Sequence, residues 1–182
     1  MPYCYSYSMN DSSGDENFGK ALSYSARAPL MWHVVDDVAT ADFDADNELS
    51  LRTILNLSEY HSTDIAEEFA ALERKVDITL EMVASLLRAA TDMPEAKEFR
   101  LGAHEISWQQ ADALPELNTQ LNIIIYLHEL YPKPITLAGR VKSTTAKECV
   151  VELAAQSSEV QQLLEKFIFL HHRRAIAQSK HI

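Results

Sequence analysis

Glycine, cysteine and basic charge are all scarce in this chain. Four glycines in 182 residues leave little material for phosphate-cradling loops, and no G-x-S-x-G, Walker A, G-x-G-x-x-G, H-E-x-x-H or H-x-E…C-x-x-C pattern occurs. The two cysteines, Cys4 and Cys149, lie near opposite ends without C-x-x-C spacing, which excludes a disulfide scaffold and a cysteine-based metal framework and leaves a buried or idle thiol. Neither they nor the N-terminal serines have an identifiable base partner in the sequence, so no enzymatic activity is expected. No apolar run reaches the roughly 18 residues of a membrane span, and the first twenty residues lack the basic and apolar regions of a secretory signal. A cytoplasmic protein is expected.

Sixteen basic against 27 acidic residues give a formal charge of −11. The acidity is concentrated in residues 1–99, with 19 acids and 7 bases, against 8 and 9 in residues 100–182. Such a balance argues against a polynucleotide partner, whose backbone needs a positive patch, while leaving room for a small phosphate ligand on a few arginines. The apolar share of 47 % and charged share of 24 % are those of a chain that folds by burial.

Residues 1–28 mix Ser, Tyr, Asn, Asp and Gly without periodicity and read as a disordered leader. Residues 29–182 read as one domain, opening with a strand over Leu30–Val35. Asp42, Asp44 and Asp46 have the alternate spacing of a calcium loop, but Asn47 replaces the turn glycine and Thr53 the twelfth-position glutamate. Acidic residues at a helix start, with Asp46 or Asn47 as N-cap, explain the run without a ligand. From about 48 to 90 there is neither Gly nor Pro, and Leu51, Leu55, Ile65, Phe69, Leu72, Val76, Val83 and Leu86 recur at alternating spacings of 4 and 3. This heptad seam, interrupted at Ser58, Ser62 and Thr79, predicts a rod of about 60 Å covered by another helix or a second copy of the chain.

After Pro94 the period changes to 2, and strands are expected over Phe99–Trp108, Thr119–Leu127, Ile135–Ser143 and Glu148–Ala155. Ser158-x-x-Gln161 forms a capping box for a last helix, about 157–179, that is apolar on all sides from Phe167 to Leu170. Phe167 and Phe169 are therefore added to the expected oligomerisation surface. His33, His61, His104 and His128 have no ligand spacing. His171-His172-Arg173-Arg174 is the one dense basic cluster, suited to the negative end of a helix or to an anion. No metal or cofactor is expected.

The order FRLGAHEISW, LNIIIYLHELYPKP, ITLAGRV, ECVVELAA and KFIFLHHRR resembles a PilZ domain, and more narrowly the atypical PilZ proteins of plant-pathogenic xanthomonads. The resemblance implies an α+β fold: an antiparallel β-barrel with a long heptad-bearing helix and a C-terminal helix that mediate oligomerisation, as a tetramer. It implies a non-enzymatic signalling adaptor in bacterial cyclic di-GMP pathways, engaging other signalling proteins. The family carries its ligand on an R-x-x-x-R leader and a [DN]-x-S-x-x-G strand entry, whose groups match phosphate and guanine. No R-x-x-x-R occurs here, and alignment on Trp108 places Arg100, Gly102 and Glu105 where Asp or Asn, Ser and Gly would stand. Lost donors at about 1.5–3 kcal/mol each would weaken binding by powers of ten, so conventional cyclic di-GMP binding is not expected. The alternative is a receptor that binds the nucleotide through Arg100, Arg140, Arg173 or Arg174.

Overall fold

The computed structural model describes residues 22–36, 41–59, 67–110 and 114–179. Six strands, β1 (Ser23–Val34), β2 (Ala96–Gly102), β3 (Glu105–Gln109), β4 (Gln120–Ile125), β5 (Ile135–Thr144) and β6 (Glu148–Leu153), pair throughout in antiparallel fashion. They close into a barrel in the order β1-β2-β3-β6-β5-β4. Strand alternation fills it. Tyr24, Ala28, Leu30, Phe99, Leu101, Ile106, Trp108, Leu121, Ile123, Ile125, Ile135, Leu137, Val141, Cys149 and Val151 are buried on one side, while their neighbours along each strand point out.

Among the described residues three helices complete the fold: α1 (Ala41–Glu59), α2 (Glu67–Ala90) and α3 (Ser158–Ser179). Apolar residues at helical spacing, Leu51, Ile54 and Leu55 on α1 and Val160, Leu164, Phe167 and Ile168 on α3, join the barrel core as one cluster. Helix α1 lies on β5, and α3 lies on α1, β1 and β2. Two polar contacts fix α1 to the start of β5. The buried Asn47 amide donates to the Thr136 carbonyl at 2.7 Å and accepts the Thr136 N–H at 2.8 Å, and Ser50 Oγ donates to the Pro134 carbonyl at 3.4 Å.

Several expectations are corrected here. The first strand begins at Ser23, inside the segment read as a leader; residues 1–21 lie outside the described residues. Its early half is written in small and polar residues, but Tyr24 and Ala28 still face the core. Phe99–Trp108 is a hairpin of two strands turning at Ala103-His104. The aspartates 42, 44 and 46 lie within α1, which starts at Ala41, so Asp46 and Asn47 cap nothing. Ser157, not Ser158, caps α3: its Oγ accepts the Val160 N–H at 3.3 Å and its carbonyl the Gln161 N–H at 2.9 Å. The long rod appears as α1 and α2, with residues 60–66, including Ser62 and Ile65, outside the described residues.

Candidate functional site

The positions aligned with the nucleotide-binding strand entry fall around the β2–β3 hairpin. Arg100 stands on the outer side of β2 between the buried Phe99 and Leu101, and Gly102 ends that strand. Glu105 opens β3, where its carboxylate accepts a hydrogen bond from Lys142 Nζ at 2.7 Å. The bond and the charge of Glu105 raise the lysine pKa, and the charge of Glu152 adds to this. Across the strands Glu105 faces Glu152, and Glu152 faces Arg140. Two carboxylates and two cations therefore alternate on this stretch of wall, with Glu105 paired to Lys142.

The four arginines do not converge on one point. Arg100 is on β2 and Arg140 on β5, which are three strands apart in either direction around the barrel and so form opposite walls. Arg174 donates to the Ser58 carbonyl and so ties α3 to the end of α1. Arg173 is exposed, its guanidinium 5.8 Å from the centre of the Phe169 ring. Only Arg100 and α3 share a side of the barrel, since α3 packs on β1 and β2.

The HHRR segment divides by helical direction. His171 turns inward, its ring 4.4 Å from Phe167 and 4.7 Å from Tyr24, and these join an edge-to-face set in which Tyr24 lies 5.1 Å from Phe167 and 5.8 Å from Phe99. Burial lowers the His171 pKa to about 4, and the nearby charges of Arg174 and His128 push the same way. Among the described residues no group of three or more His, Cys, Asp and Glu side chains could hold a metal.

The expected oligomerisation residues separate into two sets. Leu51, Leu55 and Phe167 lie in the protomer's own core; the barrel covers them, so they are withdrawn from the assembly surface. Phe69, Leu72, Val76, Val83 and Leu86 on α2 are exposed, as is Phe169 on α3. Helix α2 packs on no other element among the described residues. Its attachment lies on its polar side: Ala84 is buried, and Arg88 Nη1 donates to the Glu129 carbonyl at 2.5 Å. Ala84 and Arg88 thus face the body, while the large apolar residues from Phe69 to Leu87 are exposed. The seam reading missed Ile78, Leu80, Met82 and Leu87, all exposed on the same helix.

The class is defined by this architecture: an α+β protein built on a closed six-stranded antiparallel barrel. The chain belongs to the atypical PilZ family, whose description, "Atypical PilZ domain, cyclic di-GMP receptor", matches residues 56–181. No curated protein matches the chain. A solved structure with the same fold, at a TM-score of 0.70 and 21 % identity over 90 % of this chain and 94 % of the other, is a pathogenic protein from Xanthomonas campestris, reported as a tetrameric PilZ domain self-assembled via a helical bundle. Among the described residues, no helix is long and apolar enough to cross a membrane.

Proposed function

We propose that the protein is a non-enzymatic, cytoplasmic signalling adaptor of cyclic di-GMP pathways that works as a homo-oligomer, a tetramer, and engages other signalling proteins through the assembled surface. The observation that carries this reading is the outward apolar face of α2, from Phe69 to Leu87. A free monomer rarely leaves that much contiguous apolar surface in water. The helical-bundle tetramer reported for the Xanthomonas campestris protein supports it. The ion pair of Glu105 with Lys142 and the separation of Arg100 from Arg140 support an adaptor without the family's usual ligand contacts.

The second reading, a cyclic di-GMP receptor using non-standard arginines, is favoured by the family's description and by the placement of α3 on the Arg100 side of the barrel. One experiment separates the two: calorimetric titration with cyclic di-GMP at moderate salt, with the mass followed by light scattering. An oligomer with no heat of binding supports the adaptor. Saturable binding at micromolar nucleotide, lost on replacing Arg173 and Arg174 by Ala, supports the receptor; a monomer at micromolar concentration overturns the adaptor.

A further inference from the structure

One peptide group in the turn between β4 and β5 is held from both sides. Residues 128–131 form a turn closed by the Tyr131 N–H, which donates to the His128 carbonyl at 3.3 Å. At its centre lies the peptide that joins Glu129 to Leu130. Its N–H donates to Nδ1 of His128 at 3.1 Å, and its C=O accepts from Nη1 of Arg88 at 2.5 Å. The peptide is trans, so its N–H and C=O point in opposite directions, and histidine and arginine grip one plane from its two edges. Each bond polarises the amide in the sense that strengthens the other.

What this plane holds is the direction of α2. Among the described residues the helix packs on no other element. The buried Ala84 and, one turn further on, Arg88 mark its attachment near the C-terminal end. From Ala84 back to Glu67 the helix extends about 25 Å, so a small rotation at Arg88 becomes a large displacement at Phe69.

His128 can hold the plane only while Nδ1 carries a lone pair. A neutral imidazole accepts there, whereas an imidazolium has N–H groups on both nitrogens and would turn a donor on the Leu130 N–H. The imidazole is half-buried, and burial lowers its pKa, so the accepting form is the resting form at neutral pH. The charged and titratable groups around it are Arg88 on α2, His171 and Arg174 on α3, and Glu129 and Tyr131 in the turn itself.

We infer that the Glu129–Leu130 peptide is a proton-sensitive latch on α2: neutral His128 holds the peptide in the orientation that Arg88 binds, and a proton on Nδ1 turns the peptide away and frees the helix to swing. His128 is thus a positioning residue that acts on α2 through one backbone group. The latch belongs to the single chain and stands whether or not chains assemble.

The test is a distance within the full chain, read by pulsed electron spin resonance between labels at Arg74→Cys on α2 and Lys147→Cys on the barrel, both exposed positions. A Cys4→Ser background and dilution with excess unlabelled chain restrict the signal to pairs within one chain. The distance should be single and narrow at about pH 7.5 and should shift and broaden at about pH 5, still above the value of about 4 for His171, with Trp emission showing a folded barrel. His128→Asn, whose Oδ1 can accept the Leu130 N–H but does not titrate, should keep the narrow distance at both. Arg88→Met should give the broad distribution at both. A parent distance that stays narrow in acid overturns the latch, as does a narrow distance in Arg88→Met. So does an acid shift in His128→Asn as large as in the parent, which would assign the proton to another group, and so does a broadening that appears only when the barrel unfolds.

Discussion

Asn47 and Thr136 exchange a pair of hydrogen bonds, side-chain amide to backbone, at 2.7 and 2.8 Å. The asparagine is buried at 1 % exposure, so the pair is shielded from water and holds helix α1 against the start of β5. Asn47→Ala should cost about 2–4 kcal/mol, because two bonds are lost and the Thr136 backbone groups are left without them. Chemical denaturation of the variant checks this, and a loss under 1 kcal/mol would show that water replaces the amide.

Gly139 sits where β5 meets β6. A Cβ there would approach the Glu152 carbonyl oxygen to 2.5 Å and Val151 Cγ1 to 2.6 Å. Backbone cannot yield as a flexible side chain does, so Gly139→Ala should destabilise the barrel by about 1–3 kcal/mol or more, read as a lower denaturant midpoint.

Leu55 and Leu72 were equal members of one sequence seam, yet they should respond differently to truncation. Leu55 is 3 % exposed in the core and Leu72 is 59 % exposed on α2. Leu55→Ala should cost about 2–5 kcal/mol at any protein concentration. Leu72→Ala should act through assembly, lowering the melting temperature most when the protein is concentrated.

His171 gives a signed pH dependence. Its folded pKa, about 4, lies below its ordinary 6.5, and that of His128 is also lowered by burial, so the unfolded chain binds more protons between these values. The stability contributed by the neutral imidazole is present above about pH 6.5 and is lost as pH falls towards 4. Denaturation midpoints should therefore drop across that window. His171→Phe, which keeps an aromatic ring beside Tyr24 and Phe167, should flatten the slope.

Cys149 is fully buried, and desolvation pushes its thiol pKa up to about 11. In a Cys4→Ser variant, a thiol reagent should label the native protein far more slowly than the unfolded chain. Equal rates would mean that the β5–β6 region opens readily.

Much of the barrel was legible in the sequence, because alternation is a direct imprint of a half-buried strand: β4, β5 and β6 were placed to within a few residues. The β2–β3 turn was not, since Ala103-His104 carries none of the usual turn residues and both flanking strands alternate without a visible break. The start of β1 was hidden because Ala26 and Ala28 give a weak apolar signal. Periodicity located the amphipathic helices but not what covers them. Leu51 and Leu72 share a register, and only the folded chain shows that one faces its own barrel and the other faces out. The Asn47 contact was invisible for another reason: its partner is backbone 89 positions away, which leaves no mark in side-chain pattern. The candidate ligand arginines were found as residues but not as a group, because their separation depends on strand order around the barrel.

The ring of strands has one further implication. Its circuit from β1 through β6 back to β1 is complete, so the described sheet has no free edge strand to offer a neighbour. An extended peptide finds no edge of this barrel on which to add as a strand, one of the recurring ways in which a sheet protein captures a partner's tail. Recognition on the barrel must therefore be written in side chains, on the outer faces of its strands as on helices and loops, which makes it a matter of residue identity, and single substitutions on those surfaces can redirect the protein without disturbing its frame.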